Sequence, residues 1–183
     1  MRKLKLSELN RISVEEFKQS LKTPIIIVLD NVRSLNNIGS IFRTADAFRI
    51  ESIYLCGITG TPPNKEIHKT ALGATESVNW TYFEKTVDSL DTLKKNGFSI
   101  YAVEQAEGSI SLDEFVFSSS KKIALIFGNE INGVDEEVMK HVDGCIEIPQ
   151  FGTKHSLNIA ISIGIVVWEL FKRHMTHNEK SNL

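Results

Sequence analysis

The chain has 183 residues, 42% of them hydrophobic, which suits one compact domain with a single sizeable core. Its 21 Lys and Arg stand against 23 Asp and Glu, and the formal net charge of −2 carries no overall basic signal for a polyanionic partner. Any such partner must be met by local charge.

The opening stretch to Lys22 is locally basic, with Arg2, Lys3, Lys5, Arg11, Lys18 and Lys22 against Glu8, Glu15 and Glu16. A solvated helix face and an RNA contact both account for that excess. No apolar run follows Met1-Arg2-Lys3-Leu4-Lys5, so no secretion signal is expected. Ser13-Val14-Glu15-Glu16 reads as a capping box opening a short helix to about Leu21. Pro24 then opens Ile25-Ile26-Ile27-Val28-Leu29, a β-branched run of the kind found in strands buried on both faces. Ile38, Ile41, Phe42, Ala45 and Phe48 recur at helical spacing and predict a helix over Asn37 to Phe48. Ile53 to Cys56 reads as a second strand, followed by a polar loop with Gly60, Pro62, Pro63 and Asn64 that fits no element.

Val87, Leu90 and Leu93 mark another helix, ended near Asn96-Gly97. Phe98 to Val103, Ile123 to Phe127 and Cys145 to Ile148 read as three further strands, with a helix from Asp135 to His141 between the last two. The final apolar stretch, Leu157 to Leu170, is broken by Asn158, Ser162 and Glu169 and falls short of the roughly 20 apolar residues that span a bilayer. Cys56 and Cys145 end separate apolar runs and belong to no paired motif, so a reducing cytoplasm is expected, with no disulfide framework and no metal site. The tail from His174 to Leu183 is expected to fray, its histidines unpaired. Alternating strands and helices define an α/β fold, a mainly parallel sheet sandwiched by helices.

Three blocks place glycines and small polar residues where a strand runs out and a helix begins, the place where open parallel sheets bind ligands. In the first, Asn36-Asn37-Ile38-Gly39-Ser40-Ile41-Phe42-Arg43, Gly39 lies one turn before Arg43 on the same helix face. The absent side chain leaves Arg43 room to reach a ligand at the helix start, where its fork suits phosphate. Alternatively, Arg43 is a surface arginine and Gly39 permits close packing. In the second, Phe127-Gly128-Asn129-Glu130-Ile131-Asn132-Gly133, Gly128 lets the backbone turn and approach a ligand, and Glu130 is the acid in the loop. An ordinary strand-to-helix loop with a capping acid reads the same way. In the third, Ile148-Pro149-Gln150-Phe151-Gly152-Thr153-Lys154-His155-Ser156-Leu157-Asn158, Pro149 ends a strand, Gly152 allows a bend and Ser156 is placed to cap the last helix. Asn158, an amide inside an otherwise apolar helix, needs a partner. P-loop, Gly-x-Gly-x-x-Gly, Gly-x-Ser-x-Gly and metal-ligand patterns are absent.

In this order the blocks resemble the three motifs of the SpoU/TrmH family of RNA ribose 2′-O-methyltransferases, over roughly Ile25 to Phe171. The resemblance implies an S-adenosylmethionine-dependent enzyme acting on tRNA or rRNA. It implies a catalytic cluster of Arg43, Asn37, Glu130, Ser156 and Asn158, and a donor pocket with Gly128, Ile148 and Leu157. It also implies a C-terminal deep trefoil knot, which general topology rules would not anticipate. Lys69-Thr70-Ala71-Leu72-Gly73-Ala74 resembles a loop common in the family, its Lys69 either meeting a phosphate or simply solvated. The expected organisation is an N-terminal helical extension over 1–22, a methyltransferase domain over 23–173 and the tail over 174–183. After Asn158 apolar residues run round nearly the whole last helix, so a homodimer through that helix is expected, with Val166 and Val167 exposed in the monomer. A non-catalytic RNA-binding or ribosome-assembly protein on the same fold is the alternative, and an adenosine-ligand enzyme on an unknotted α/β fold a more distant one.

Overall fold

A computed structural model of the chain describes residues 1–5, 8–116 and 121–180, with side chains described as far as Arg173. Helix α1 (Val14–Gln19) carries the expected capping box: the Glu16 amide donates to Ser13 Oγ at 3.2 Å and the Ser13 amide to Glu16 Oε2 at 2.7 Å. Phe17 is the residue that α1 buries. Part of the basic excess before it is paired, since Arg2 grips Glu8 at 2.6 Å and holds its carboxyl down at about 2.

Among the described residues the sheet has seven strands: β1 (Thr23–Asp30), β2 (Ile50–Cys56), β3 (Trp80–Phe83), β4 (Phe98–Val103), β5 (Ile110–Ser111), β6 (Lys122–Phe127) and β7 (Gly144–Glu147). Their order is β3-β2-β1-β6-β4-β7-β5, and every adjacent pair is parallel. β1 is buried on both faces as its composition predicts. Ile25, Ile27 and Leu29 join a core with α2 (Leu35–Ala47) and α7 (Ile159–Lys180), while Ile26 and Val28 join a second core with α5 (Thr86–Lys95) and α6 (Glu136–Met139). Cys56 and Cys145 are free and buried, and burial pushes the Cys56 thiol up to about 12.

Between β2 and α5 the structure adds elements that periodicity alone did not reveal. Asn64 caps α3 (Lys65–Ala71), its Oδ1 accepting from the Glu66 and Ile67 amides at 3.0 and 3.4 Å. A short α4 (Ala74–Ser77) and the edge strand β3 follow. β3 has four residues with the middle pair exposed, and β5 has only two, too short to leave a hydrophobic pattern.

Helix α7 differs from its expected form at both ends and around its circumference. It begins at Ile159 rather than Ser156, and Asn158 is its cap instead of an interior amide. Asn158 Oδ1 accepts from the Ala160 and Ile161 amides at 2.9 and 3.4 Å, an arrangement worth about 1 kcal/mol. Val166 and Val167 are fully buried within the chain, packed in the core that includes α2. The large apolar residues of α7 that are exposed, among those described, are Ile161, Ile165 and Trp168. The helix continues to Lys180, into the stretch expected to fray, and 181–183 lie outside the described residues. Near its end Arg173 donates to the backbone carbonyls of Leu112, Asp113 and Phe115, tying α7 to the segment after β5.

Candidate active site

Because β6, β4 and β7 are neighbours and parallel, the loops leaving their C-terminal ends meet on one edge of the sheet. They enclose a cleft of about 740 Å³, within the usual range for small-molecule sites. Val103, Phe127, Ile148, Leu157 and Ile159 give it apolar walls, and Glu104, Gln105, Gln150, His155 and Ser156 add polar groups. Gly128, Glu130 and Asn158 also line it, so two of the three blocks converge here as expected.

The loop after β6 is a closed ring. Asn129 and Gly133 exchange backbone hydrogen bonds of 2.9 Å in both directions, and Gly133 has φ +69°, a left-handed conformation that glycine adopts without strain. The Asn129 side chain, nearly buried, accepts from the Ile131 and Asn132 amides and donates to the Asn31 carbonyl at 2.7 Å. The ring adds a second reason for Gly128, which also lines the cleft. A β-carbon there would sit 2.0 Å from the Gly133 carbonyl carbon and 2.1 Å from the Val134 nitrogen, so the bare position accommodates the ring's own backbone. Gly152, expected to permit a bend, has open space around it and no positive φ, and its backbone is one that other residues adopt.

A line of hydrogen bonds joins the blocks. Glu130 accepts from the Arg33 and Ser34 amides, both at 3.2 Å, fixing the turn before α2. Ser34 caps α2 by accepting from the Asn37 amide at 3.3 Å. Asn37 Oδ1 in turn accepts from Asn158 Nδ2 at 3.2 Å, which connects α2 to the start of α7. Glu130, Asn37 and Asn158 thus hold one another's loops in register. Ser156 and His155 have no hydrogen-bond partner among the described residues, so both polar groups are free to meet a ligand.

Arg43 stands apart. It is exposed on α2, outside the residues that line the cleft, and no described residue pairs with it. Gly39 makes no room for it. A β-carbon on Gly39 would lie 2.0 Å from Thr70 Oγ1 and 2.3 Å from the Ile67 carbonyl oxygen, so the glycine lets α3 pack closely on α2. Lys69, expected in a loop, is exposed on α3.

Residue patterns did not single out Asn129, Glu104, Gln105, Gln150 or His155. Glu104 and Gln105 carried one usable signal, polar residues directly after a predicted strand, which in a parallel sheet is where ligands bind. Among the described residues there is no group of three or more His, Cys, Asp or Glu arranged to hold a metal ion, and no helix long and apolar enough to cross a membrane.

An all-parallel sheet with a ligand-sized cleft at its strand ends, closed by a glycine ring and crossed by a helix cap, is an α/β arrangement of the kind that binds small organic ligands. The chain belongs to the SpoU rRNA Methylase family, whose model matches residues 24–168. It is 28% identical to the 23S rRNA (guanosine-2′-O-)-methyltransferase RlmB of Neisseria meningitidis, over 93% of this chain and 68% of that protein. It is also 28% identical to the tRNA (guanosine(18)-2′-O)-methyltransferase of Thermus thermophilus, over 92% of this chain and 85% of that one. Among solved structures, the AdoMet-bound rRNA methyltransferase from Sinorhizobium meliloti superimposes with a TM-score of 0.78 at 29% identity over 86% of this chain. The chain spans 60% of that protein's length.

Proposed function

We propose that the protein transfers a methyl group from S-adenosylmethionine to a ribose 2′-hydroxyl in tRNA or rRNA. The observation that carries this reading is the convergence of the second and third blocks on one cleft, with the first bound to it through Asn37 and Asn158, in a chain of this family. The cleft fits such a donor. Its walls at Phe127, Ile148 and Leu157 suit an apolar base, and its polar groups at Glu104, Gln105 and Gln150 suit a sugar and an amino acid.

When bound, the donor would supply a methyl activated by its sulfonium sulfur, which leaves as a neutral thioether. The chain's own task is to align the reacting atoms and to help the hydroxyl lose its proton. Gly128, Ile148 and Leu157 hold the donor side. Glu130, Asn37 and Asn158 keep the three loops in mutual register, and Ser156 presents a free hydroxyl at the cleft. Arg43 is always charged and therefore cannot serve as a base. It orients the hydroxyl or an adjacent phosphate as the proton leaves.

The protein acts as a homodimer whose C-terminal segment is threaded as a knot, in the cytoplasm, where its free buried cysteines stay reduced. Supporting the dimer is an apolar face formed by Phe151, Ile161, Ile165 and Trp168, all of them exposed. Thr44, next to Arg43, borders this face, as do Ile148 and Pro149 beside the cleft. Pairing two copies there brings the Arg43 side of α2 up to the loops of a cleft. Ile161→Glu and Trp168→Glu should therefore yield folded monomers by light scattering at micromolar concentration, whereas Val166→Glu, which buries a charge in the core, should not fold. A wild-type protein that is monomeric and fully active removes the dimer from this reading.

Calorimetry with the purified protein should detect binding of S-adenosylmethionine or S-adenosylhomocysteine without added metal. Incubation with tRNA or rRNA and a labelled donor should then label ribose 2′-oxygens. If neither ligand binds, with or without RNA, the enzyme reading fails; donor binding with no transfer to either RNA leaves the non-catalytic alternative.

A further inference from the structure

Glu104 is the carboxylate that directly follows the C-terminal end of β4 and lines the cleft. Its placement is unusually constrained. Oε1 accepts from the Gln105 amide at 3.0 Å and Oε2 from the Val134 amide at 3.2 Å. Behind it lies the glycine ring, so close that a β-carbon on Gly133 would fall 2.2 Å from Oε2. The left-handed Gly133 is therefore what lets the carboxylate lie flat on the loop. No Lys, Arg or His pairs with it among the described residues, and it is half-buried.

Each carboxylate oxygen accepts up to two hydrogen bonds. With one backbone amide spent on each, Glu104 keeps one acceptor site per oxygen, side by side and fixed in direction, in a cleft. A pair of adjacent hydroxyl donors matches that arrangement, and a sugar cis-diol is such a pair. Acids at the ends of parallel strands hold ribose hydroxyls in dinucleotide-binding folds for the same physical reason. We infer that Glu104 holds the 2′- and 3′-hydroxyls of the donor's own adenosine ribose, which rests on the donor-binding reading above. The residue thereby selects a ribonucleoside ligand and sets its register along the cleft.

The test is calorimetry on the full chain with S-adenosylhomocysteine, its 2′-deoxy and 3′-deoxy analogues, and methylthioadenosine, which has the diol but neither sulfonium nor amino acid. Wild-type protein should bind each deoxy analogue about ten- to a hundredfold more weakly than S-adenosylhomocysteine, the range for a hydrogen bond to a charged group. Glu104→Gln should weaken S-adenosylhomocysteine and methylthioadenosine by a similar factor, and should make the deoxy analogues bind nearly as well as their parent. Should that variant fail to fold, Glu104→Asp goes through the same series. Deoxy analogues that bind wild type as tightly as the parent overturn the inference, as does a variant that keeps the full deoxy penalty. A Glu104 effect confined to ligands carrying the amino acid assigns the carboxylate to the ligand's ammonium instead and also overturns it. If wild type binds neither S-adenosylhomocysteine nor S-adenosylmethionine, the donor reading itself has failed, a result distinct from all of these.

Discussion

Replacing Arg43 by alanine should leave the protein folded and able to bind S-adenosylmethionine while lowering the turnover rate by about 10²- to 10³-fold, the cost of removing one preorganised charge-stabilising donor. The structure separates these effects. Arg43 is exposed on α2 and pairs with no described residue, so its loss removes no packing or ion pair from the fold. Substitutions of that kind usually change stability by less than about 0.5 kcal/mol. It lies outside the cleft lining, so the donor should bind as before. Its proposed partner is the hydroxyl or phosphate of the RNA, engaged most strongly as the proton leaves, which places the loss in kcat rather than KM. Arg43→Lys should rescue poorly, because a point charge does not reproduce a forked donor. Single-turnover methylation alongside donor calorimetry provides the check. A well-folded Arg43→Ala protein with near-native turnover would show that this is an ordinary surface arginine.

Gly128→Ala should act on the opposite half of the site. The added carbon meets only backbone, 2.0 Å from the Gly133 carbonyl carbon and 2.2 Å from its oxygen, and backbone cannot swing aside as a side-chain tip can. The ring from Asn129 to Gly133 must shift, and with it the Asn129 bonds and the seat of Glu104. Overpacking of this sort costs about 1–3 kcal/mol, which for a chain of this length lowers Tm by roughly 2–12 °C. Donor affinity should fall at least about tenfold, since the ring forms one wall of the cleft. Gly152→Ala is the control. Nothing lies within 4 Å of its added carbon, and it should melt like wild type. A Gly128→Ala protein with unchanged melting temperature and donor affinity would mean that the ring is loose enough to absorb the insertion and does not shape the site.

Much of this architecture is legible without coordinates. The Ile25–Leu29 run specifies a strand covered on both faces because β-branched residues without polar alternation have no solvent side. Ser13 and Glu16 specify a helix start because a capping box is satisfied within four residues. The blocks at Gly128 and Asn158 meet at one cleft because strand ends in parallel sheets are where loops meet, and the block at Asn37 reaches it through Asn158. Each of these depends on neighbours in sequence or on a repeating period.

Other features depend on what folds against what. Gly39 and Gly128 are recognisable as special positions, yet the partners that require them, α3 and the Gly133 backbone, come from other turns of the chain. Val166 and Val167 look identical to Ile161 and Ile165 in an apolar run, and only the packing of α7 on the core sorts buried from exposed. Asn158 becomes a cap rather than an interior amide because the helix starts where Asn37 meets it from α2. Glu104 acquires its fixed orientation from Val134, thirty residues away. Local propensity and periodicity are short-range and can be read along the chain, whereas burial, close approach and the direction of a polar group are set by long-range contacts that exist only once the sheet has assembled.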